Sequence, residues 1–428
     1  MGRDITRCSE AELRELKAEL DRQYAGYVAQ NLKLDMSRGK PSGTQLNLTN
    51  GILDKLDSYV TGDGVDARNY GGLEGIPEAR RLFSELLGIG YDKIIIGGNS
   101  SLNLMYDAMM RLYVFGTGGH LPWRKLPVVK FLCPSPGYDR HFSICEDLGI
   151  EMIVVPMTET GPDMDMVEKL VAEDDAIKGI WCVPLYSNPQ GICYSDETVD
   201  RLARMKTAAP DFRIYWDNAY CVHDLTDTPD QLLSLYEACV EAGHPDLPVM
   251  FASTSKITYP GAGVSAIAES PANAADDKKR LFVQMVCGDK MNMLRHLYFL
   301  KDMDGVRAQM KRHAALLRPK FEAVCRRLRT EFVNGDLLTW YEPHGGYFLG
   351  VDTLPGCAKR VVALCAQAGV KLTGAGATYP YGKDPQDRNI RLAPSGVKID
   401  ELEQAMALFC LCVKLASLEK VLKIEKNA

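Results

Sequence analysis

The fold of this chain is decided by Leu247-Pro-Val-Met-Phe-Ala-Ser-Thr-Ser-Lys256 and by the Pro260-Gly-Ala-Gly263 turn that follows it. The first half of the stretch is an apolar run typical of a buried strand, and the second half is a tight turn of small residues. Lys256 therefore stands where a strand ends, beside the hydroxyls of Ser253 and Ser255. A neutral lysine amine at such a place can attack a carbonyl carbon and form a Schiff base. The hydroxyls and free backbone N–H groups suit a phosphate.

Two other apolar runs also lead into polar residues. Ile214-Tyr-Trp-Asp217 ends in an acid that Tyr220 follows, and the run 177–183 leads to Asn188 in an Asn-Pro turn. A carboxylate at the end of a buried strand is costly without a cationic partner, so Asp217 predicts a cation in the same crevice. If these runs are neighbouring parallel strands of one sheet, their carboxyl ends lie along the same edge. Asn188 then adds an amide to the crevice at that edge.

An aldehyde that carries a phosphate and a protonatable ring nitrogen matches all these groups, and pyridoxal phosphate (PLP) is such a molecule. In this interpretation Asp217 keeps the ring nitrogen protonated and Tyr220 donates a hydrogen bond to the phenolic oxygen of the ring. A solvated surface lysine is the alternative for the Lys256 motif taken alone, and the neighbouring motifs weigh against it.

The order of these motifs resembles that of the fold-type I PLP-dependent aminotransferases of class I, over nearly the whole chain. The shared features are Asn188-Pro-x-Gly, Asp217-x-x-Tyr220, Ser253-x-Ser-Lys256 and a late Arg391. More narrowly, Ser37-Arg-Gly-Lys-Pro-Ser42 and the run 255–263 resemble a bacterial subgroup once grouped with MocR-type proteins and now regarded as aspartate aminotransferases. The resemblance implies catalytic roles for Lys256, Asp217 and Tyr220. It also implies that Arg391 binds the substrate α-carboxylate through two parallel hydrogen bonds, with Asn188 and Gly39 beside it.

Further cofactor contacts come from three segments. The loop Gly97-Gly-Asn-Ser-Ser101 lies between a strand and a helix and predicts phosphate binding by Ser100 and Ser101, with an ordinary helix N-cap as the alternative. The resemblance implies that Tyr138 stacks on the pyridine ring, with a packed core aromatic as the alternative. It also implies that Tyr70 reaches the phosphate of a neighbouring subunit, and hence a homodimer with shared active sites.

The chain departs from the family pattern at one place. Most class I enzymes have an arginine shortly after the lysine that pairs with the phosphate, and here Gly263 and Val264 occupy that place. Substitute cations are Lys290, Arg295 and His296, for which solvated helix charges are the alternative, and Arg38 and Lys40. The last two are also candidates for binding a second substrate carboxylate, and the sequence does not choose among them. His141 and His344 lie close to the motifs and can touch the site, with packing as the alternative for both.

Composition excludes several classes of protein. The 428 residues include 46% hydrophobic and 25% charged residues, and the net charge of −6 argues against a nucleic-acid binder. There is no apolar run of membrane-spanning length, and the N-terminal segment is polar. The 13 cysteines form no Cys-x-x-Cys pair and the seven histidines have no ligand spacing. We therefore expect reduced thiols, no metal, no membrane partner and a cytoplasmic location.

The alternation of strands and helices predicts an α/β fold with a mostly parallel, seven-stranded sheet covered by helices, and a smaller α+β domain. We expect an N-terminal helix and arm over 1–51, a large PLP-binding domain over 52–304 and a small domain over 305–428. The predicted strands of the large sheet are 93–96, 128–132, 152–155, 179–183, 212–216, 249–252 and 264–268. Those of the small domain are 338–341, 346–351, 370–373 and 389–392.

The predicted function is transamination between an amino acid and a 2-oxo acid, with L-aspartate and 2-oxoglutarate as first choice because of the subgroup resemblance. Lys256 acts as general base and then as general acid on the α-proton. The alternatives are an alanine or aromatic aminotransferase, a cysteine-conjugate β-lyase, an effector-sensing regulator and a catalytically inactive scaffold, since a fold does not determine a reaction.

Overall fold

The computed structural model describes residues 8–333 and 336–422. The first seven residues of the polar N-terminal segment lie outside the described residues. The helices are α1 (Glu10–Gln30), α2 (Gly43–Asn47), α3 (Pro77–Leu87), α4 (Ser101–Phe115), α5 (Asp139–Asp147), α6 (Met164–Glu173), α7 (Asp196–Arg204), α8 (Leu235–Glu241), α9 (Pro271–Gln284), α10 (Lys290–Leu300), α11 (Met303–Glu331), α12 (Ala358–Gln367) and α13 (Ile399–Val421). The strands are β1 (Leu34–Asp35), β2 (Ile94–Ile96), β3 (Lys130–Ser135), β4 (Glu151–Thr158), β5 (Gly161–Pro162), β6 (Ile177–Cys182), β7 (Arg213–Asp217), β8 (Pro248–Ser253), β9 (Ser265–Ala268), β10 (Leu338–Trp340), β11 (Leu349–Thr353), β12 (Val370–Lys371) and β13 (Asn389–Leu392).

The largest sheet has eight strands in the order β2-β9-β8-β7-β6-β3-β4-β5. Its four central pairings, from β8 to β4, are parallel, and the pairings of β2, β9 and β5 are antiparallel. The α/β fold and the parallel centre are confirmed, and all seven predicted strands are present. The predicted strand number was wrong by one, because β5 has only two residues and no apolar pattern to reveal it.

Both faces of the sheet are covered by helices. Along β6, Ile180 and Cys182 point to the face covered by α3, α6, α7 and α8, whereas Trp181 points to the face covered by α4, α5 and α9. Successive side chains of a strand point to opposite faces, so a strand buried on both sides reads as a continuous apolar run. This is why the sequence revealed these strands.

A second group of elements follows β9. β11 lies between β10 and β13 in a three-stranded antiparallel sheet. The predicted strand at 370–373 does not join this sheet, because β12 pairs in parallel with β1 from the N-terminal part of the chain. Leu13 and Leu20 of α1 pack in one hydrophobic cluster with residues of α12 and α13, including Val361 and Phe409.

The ends of the helices follow local sequence signals. Ser9 caps α1 in a reciprocal capping box with Glu12, and Asp302 accepts a hydrogen bond from the Gly305 N–H at the start of α11. α13 is apolar on most of its surface because it is buried, and Cys410 and Cys412 lie inside it. Among the described helices, none is both long and apolar enough to cross a membrane.

Replacing Phe131 with alanine tests the packing of the sheet. The Phe131 ring lies 5.9, 5.8 and 5.5 Å from the ring centroids of Trp123, Trp181 and Tyr215. Losing this ring leaves a cavity that the neighbours cannot fill, so we expect the free energy of unfolding to fall by ~3–5 kcal/mol. Chemical denaturation measures the change. The control is Val28→Ala on the exposed side of α1, which should shift stability by less than ~0.5 kcal/mol, and an equal effect of both changes would contradict the described core.

Candidate functional site

The three central strands β6, β7 and β8 are neighbours and end at the same edge of the sheet. In the strand pairing, Cys182 of β6 lies beside Trp216 of β7, and Asp217 of β7 lies beside Phe251 of β8. Asn188 follows β6, Asp217 ends β7 and Lys256 lies in the turn after β8, so the three residues surround one crevice. A crevice at the carboxyl ends of parallel strands is the usual place for a ligand in such sheets.

Lys256 projects between aromatic rings. Its Nζ lies 4.6 Å from the centroid of the Tyr220 ring and 5.9 Å from that of Tyr347. Burial lowers the pKa of the amine, and the nearby Tyr138 and Asp217 side chains act in the opposite direction. A lower pKa means a larger fraction of neutral, nucleophilic amine at a given pH.

Asp217 is almost completely buried, and its two oxygens differ. Oδ2 lies 3.1 Å from Nε2 of His141, and because a carboxylate only accepts, the hydrogen is on Nε2. The His141 ring stacks on Trp181 at a centroid distance of 4.3 Å, which fixes its orientation. Oδ1 is buried and has no hydrogen-bond partner among the described residues. His141 therefore belongs to the site, whereas the sequence left this contact and simple packing as alternatives.

Two tyrosines flank this pair. Tyr220 is buried, and burial raises the pKa of its hydroxyl, which therefore stays protonated as a donor. Burial also raises the pKa of Tyr138 to about 12. The Tyr138 ring meets His141 edge-on at 4.9 Å, so it lies beside the Asp217 carboxylate.

Arg391 enters from β13 and meets Asn188. Its Nη1 donates to Oδ1 of Asn188 at 3.2 Å and to Oδ1 of Asp139 at 2.9 Å. The guanidinium lies over the Phe348 ring, 4.8 Å from its centroid. A Cβ at Gly39 would overlap that ring, so the arm passes directly against it. Asp139 and Phe348 were not predicted, because their contacts join segments far apart in sequence.

The loop 97–101 meets the lysine turn. Ser100 caps α4 by accepting from the Leu102 N–H at 3.3 Å, and Ser101 begins the helix. Ser253 donates to Ser255 at 3.1 Å, and Ser255 donates to the Asn99 carbonyl at 3.1 Å. The N-cap interpretation of Ser100 is therefore realised in this structure, next to the serines of the lysine turn.

Gly263 and Val264 lie where the family pattern has an arginine, and the backbone at Gly263 leaves no room for a side chain. A Cβ at Gly263 would come within 2.8 Å of the Asn99 carbonyl oxygen. Asn292 holds the same turn by donating to the carbonyls of Ala262 and Gly263 at 2.9 and 3.0 Å. A side chain at this position would push the two loops apart.

The candidate substitute cations have different surroundings. Lys290 is buried and donates to the carbonyls of Asn69 and Gly71, each at 2.6 Å. His296 hydrogen-bonds with Thr258 and with the Asn292 carbonyl. Two residues of this group therefore have partners within the chain, whereas Arg38 and Lys40 are exposed in the arm and Arg295 is half-buried.

Two sequence candidates do not join the crevice of this chain. The Tyr70 side chain is 77% exposed and makes no described ring contact or hydrogen bond with Lys256, Asp217 or Arg391. His344 lies 3.2 Å from a carboxylate oxygen of Asp230 and is also exposed, so it pairs away from the lysine.

A buried polar chain that the sequence did not reveal supports the lysine turn. His313 Nε2 lies 3.0 Å from the Ile257 carbonyl, which fixes the hydrogen on Nε2. Gln45 Nε2 then donates to His313 Nδ1 at 3.2 Å and to the Tyr347 hydroxyl at 2.8 Å. Through these bonds the N-terminal arm holds both the backbone next to Lys256 and one of the rings beside its amine.

Comparisons with known proteins show the family to which this chain belongs. A family model described as aspartate amino-transferase matches residues 8–425. The chain belongs to this family. An aspartate aminotransferase of Corynebacterium glutamicum is 44% identical over 404 residues, which cover 94% of this chain and 93% of that protein. A protein of Mycolicibacterium smegmatis is 48% identical over 406 residues, covering 94% of this chain and 95% of its own length.

Solved structures share the fold of this aminotransferase. The crystal structure of an aspartate transaminase from C. glutamicum superposes with a TM-score of 0.94 at 43% identity, covering 96% of this chain and 98% of that one. The α-aminoadipate aminotransferase of Thermus thermophilus, solved with N-(5'-phosphopyridoxyl)-L-leucine, has a TM-score of 0.72 at 19% identity, with 93% and 98% of the two chains covered. That likeness shows the fold alone.

Enzymes of this family use PLP, and the described residues fit it. The buried, unpartnered Oδ1 of Asp217 calls for a cationic N–H, which the protonated ring nitrogen of PLP provides. The amine of Lys256 matches the aldehyde, and the Tyr220 hydroxyl is an available donor. The predicted cofactor and enzyme class are confirmed.

Selective acylation of the cofactor-free enzyme tests the state of Lys256. Because burial lowers the pKa of this amine, the neutral fraction persists at lower pH than for a solvated lysine. We expect an amine-acylating reagent to modify Lys256 at a lower pH than the exposed Lys206, as followed by peptide mass spectrometry. The rates are compared at several pH values after correction for accessibility. Identical pH midpoints for the two lysines would contradict the lowered pKa.

Proposed function

We propose that this aminotransferase exchanges the amino group between L-aspartate and 2-oxoglutarate, giving oxaloacetate and L-glutamate. The observation that carries the proposal is the meeting of Lys256, the unsatisfied Asp217 carboxylate and Arg391 at one edge of the sheet. The C. glutamicum relative that is 44% identical over nearly the whole chain is an aspartate aminotransferase, which supports the choice of substrates. The resemblance to the MocR-associated subgroup remains a prediction.

In the proposal Oδ1 of Asp217 would accept a hydrogen bond from the ring nitrogen of PLP, with His141 fixing the carboxylate. Tyr220 would donate to the phenolic oxygen, and Tyr138 would pack against the ring. Four serines provide hydroxyl groups for the phosphate: Ser100, Ser101, Ser253 and Ser255. Bound in this way, PLP supplies an electron sink for the negative charge that develops when the substrate Cα loses a proton.

Lys256 performs the proton transfer. Its desolvated amine is available in the neutral form, so Nζ can take the proton from the substrate Cα as a general base. The protonated Nζ then acts as general acid. The aromatic rings of Tyr220 and Tyr347 exclude water from one side of the amine and tolerate the positive charge that it acquires.

Arg391 binds the α-carboxylate of the substrate beside Asn188. A buried guanidinium over an aromatic ring keeps its charge and a fixed plane, which is suited to a carboxylate. The candidates for the second carboxylate of aspartate are Arg38 and Lys40. They flank Gly39, which lies against the Phe348 ring below Arg391.

We also propose a homodimer in which Tyr70 reaches the phosphate of the partner subunit. Tyr70 is exposed in this chain, while the backbone on both sides of it is held by Lys290. Other large apolar side chains are exposed as well, among them Leu53, Phe282 and Val283. A tyrosine whose flanking backbone is held and whose side chain has no partner among the residues that the structure describes is suited to a shared site.

Two further expectations stay part of the proposal. The domain division at 1–51, 52–304 and 305–428 is supported by the cluster that joins α1 to α12 and α13. A cytoplasmic location is supported by buried cysteines such as Cys133, Cys182 and Cys365, which form no disulfide among the described residues.

L-aspartate added without a 2-oxo acid tests the substrate. We expect the visible absorbance of the PLP-loaded enzyme to disappear, because the amino group passes to the cofactor. The variant Lys256→Ala should show no such change within the time in which the wild-type enzyme completes it. Alanine, an aromatic amino acid and a cysteine conjugate are tested in parallel. A response to one of these but not to aspartate would replace the proposed donor, and normal turnover by Lys256→Ala would refute the mechanism.

Mixing two impaired variants tests the dimer. In a heterodimer of Lys256→Ala and Tyr70→Ala, one site carries both changes and the other carries neither, if Tyr70 acts across the interface. After exchange of subunits at equal amounts, about a quarter of all sites should be intact. We therefore expect turnover well above the mean of the two separate variants. Turnover equal to that mean would show that Tyr70 acts in its own subunit or not at all.

A further inference from the structure

All described hydrogen bonds of the Arg391 guanidinium are made by one nitrogen, Nη1. Nη1 carries two hydrogens and meets two acceptors, Oδ1 of Asp139 at 2.9 Å and Oδ1 of Asn188 at 3.2 Å. Among the described residues Nε has no partner but is buried from solvent, and no hydrogen bond involves Nη2. An incoming carboxylate therefore reaches the guanidinium from the Nη2 side, because both hydrogens of Nη1 are already in use.

Asp139 brings a full negative charge to this guanidinium. The Arg391 side chain is 8% exposed and that of Asp139 is 37% exposed, so the pair is only partly screened by water. A substrate carboxylate on the Nη2 side must share the arginine with a second anion. Asp139 thus confines the incoming carboxylate to one orientation and at the same time weakens its attraction.

The arginine does not depend on Asp139 for its place. Its backbone is paired with Gly350 of β11, its plane rests on Phe348, and Asn188 holds Nη1. Removing the charge of Asp139 therefore changes the electrostatics of the guanidinium more than its position.

We propose that Asp139 is a positioning residue that sets how tightly the site holds the α-carboxylate of substrates. It occupies Nη1, leaves Nη2 for the ligand and offsets part of the positive charge. The consequence is weaker retention of both the amino acid and the 2-oxo acid, each of which must leave after its half-reaction. The inference rests on the proposed function in one respect, the binding of the α-carboxylate by Arg391.

The variant Asp139→Asn tests the role of the charge. The amide keeps the shape and the acceptor oxygen and loses the charge. The probe is succinate, which has neither an amino nor an oxo group and cannot react, and its Kd for the PLP-loaded enzyme is measured by calorimetry. We expect the Kd to fall by about 10-fold, since a competing anion at contact distance from the guanidinium is removed. Asp139→Ala should shift the Kd in the same direction.

The second measurement compares an amino acid with its α-amide. In Asp139→Asn, the ratio of kcat/KM for L-aspartate to that for isoasparagine should rise by about 10-fold, because only the acid has a charged α-carboxylate. If the wild-type enzyme rejects aspartate, L-alanine and L-alaninamide form the equivalent pair. Failure of the proposed substrate is thereby separated from failure of this inference.

The matched control is Asp165→Asn. Asp165 also lies in the first turn of a helix and also pairs with an arginine, Arg201, at 2.6 Å, but on the surface of α6. We expect it to leave the Kd of succinate and the acid-to-amide ratio unchanged. If Asp139 only stabilises the start of α5, Asp139→Asn will behave like the control in both measurements. That result, or weaker binding of succinate, would overturn the proposal.

Discussion

The buried carboxylate of Asp217 is the constraint on which the rest of the site depends. A buried carboxylate oxygen without a partner costs several kcal/mol, and Oδ1 of Asp217 has none among the described residues. The other oxygen is satisfied by His141, whose ring is fixed by stacking on Trp181. The protein therefore holds an unsatisfied carboxylate oxygen at the end of β7. In the proposed site, binding of a protonated PLP ring would remove this penalty, so the fold would favour the cofactor with its ring nitrogen protonated.

Lys256 and Arg391, the two basic side chains of the crevice, have environments with opposite effects on their charge. Lys256 is desolvated and contacts aromatic rings, so its amine is shifted toward the neutral form that removes a proton. Arg391 is buried, and its guanidinium meets Asp139 and Asn188, which suit a permanent charge. In the proposed mechanism Lys256 changes its protonation state during each turnover, whereas Arg391 keeps its charge. The same crevice serves both because the carboxylate of Asp139 contacts the arginine, whereas no carboxylate among the described residues forms an ion pair with the lysine amine.

The sequence revealed those parts of the site that follow from strand order. Asn188, Asp217 and Lys256 end adjacent parallel strands, and the edge of a parallel sheet brings such residues together without further information. The bond between His141 and Asp217 and the ion pair between Asp139 and Arg391 depend on how α5 and β13 dock, which no local pattern encodes. The same reason applies to β12, whose two residues pair with β1 rather than with β11. β5 was not predicted, because a strand of two residues is too short to show an alternating pattern of apolar and polar side chains.

The absence of the expected arginine after the lysine has a local cause. The backbone of Gly263 approaches the Asn99 carbonyl so closely that a side chain there would separate the two loops that border the predicted phosphate site. Close approach of these loops brings the Ser255 hydroxyl, held by the Asn99 carbonyl, near the start of α4. In the proposed site a phosphate would meet hydroxyl groups and the N-terminal end of a helix, which can bind an anion without a side-chain cation. In the proposed dimer the buried charge of Lys290 then acts indirectly, because it holds the backbone on both sides of Tyr70 and so orients the tyrosine offered to the partner.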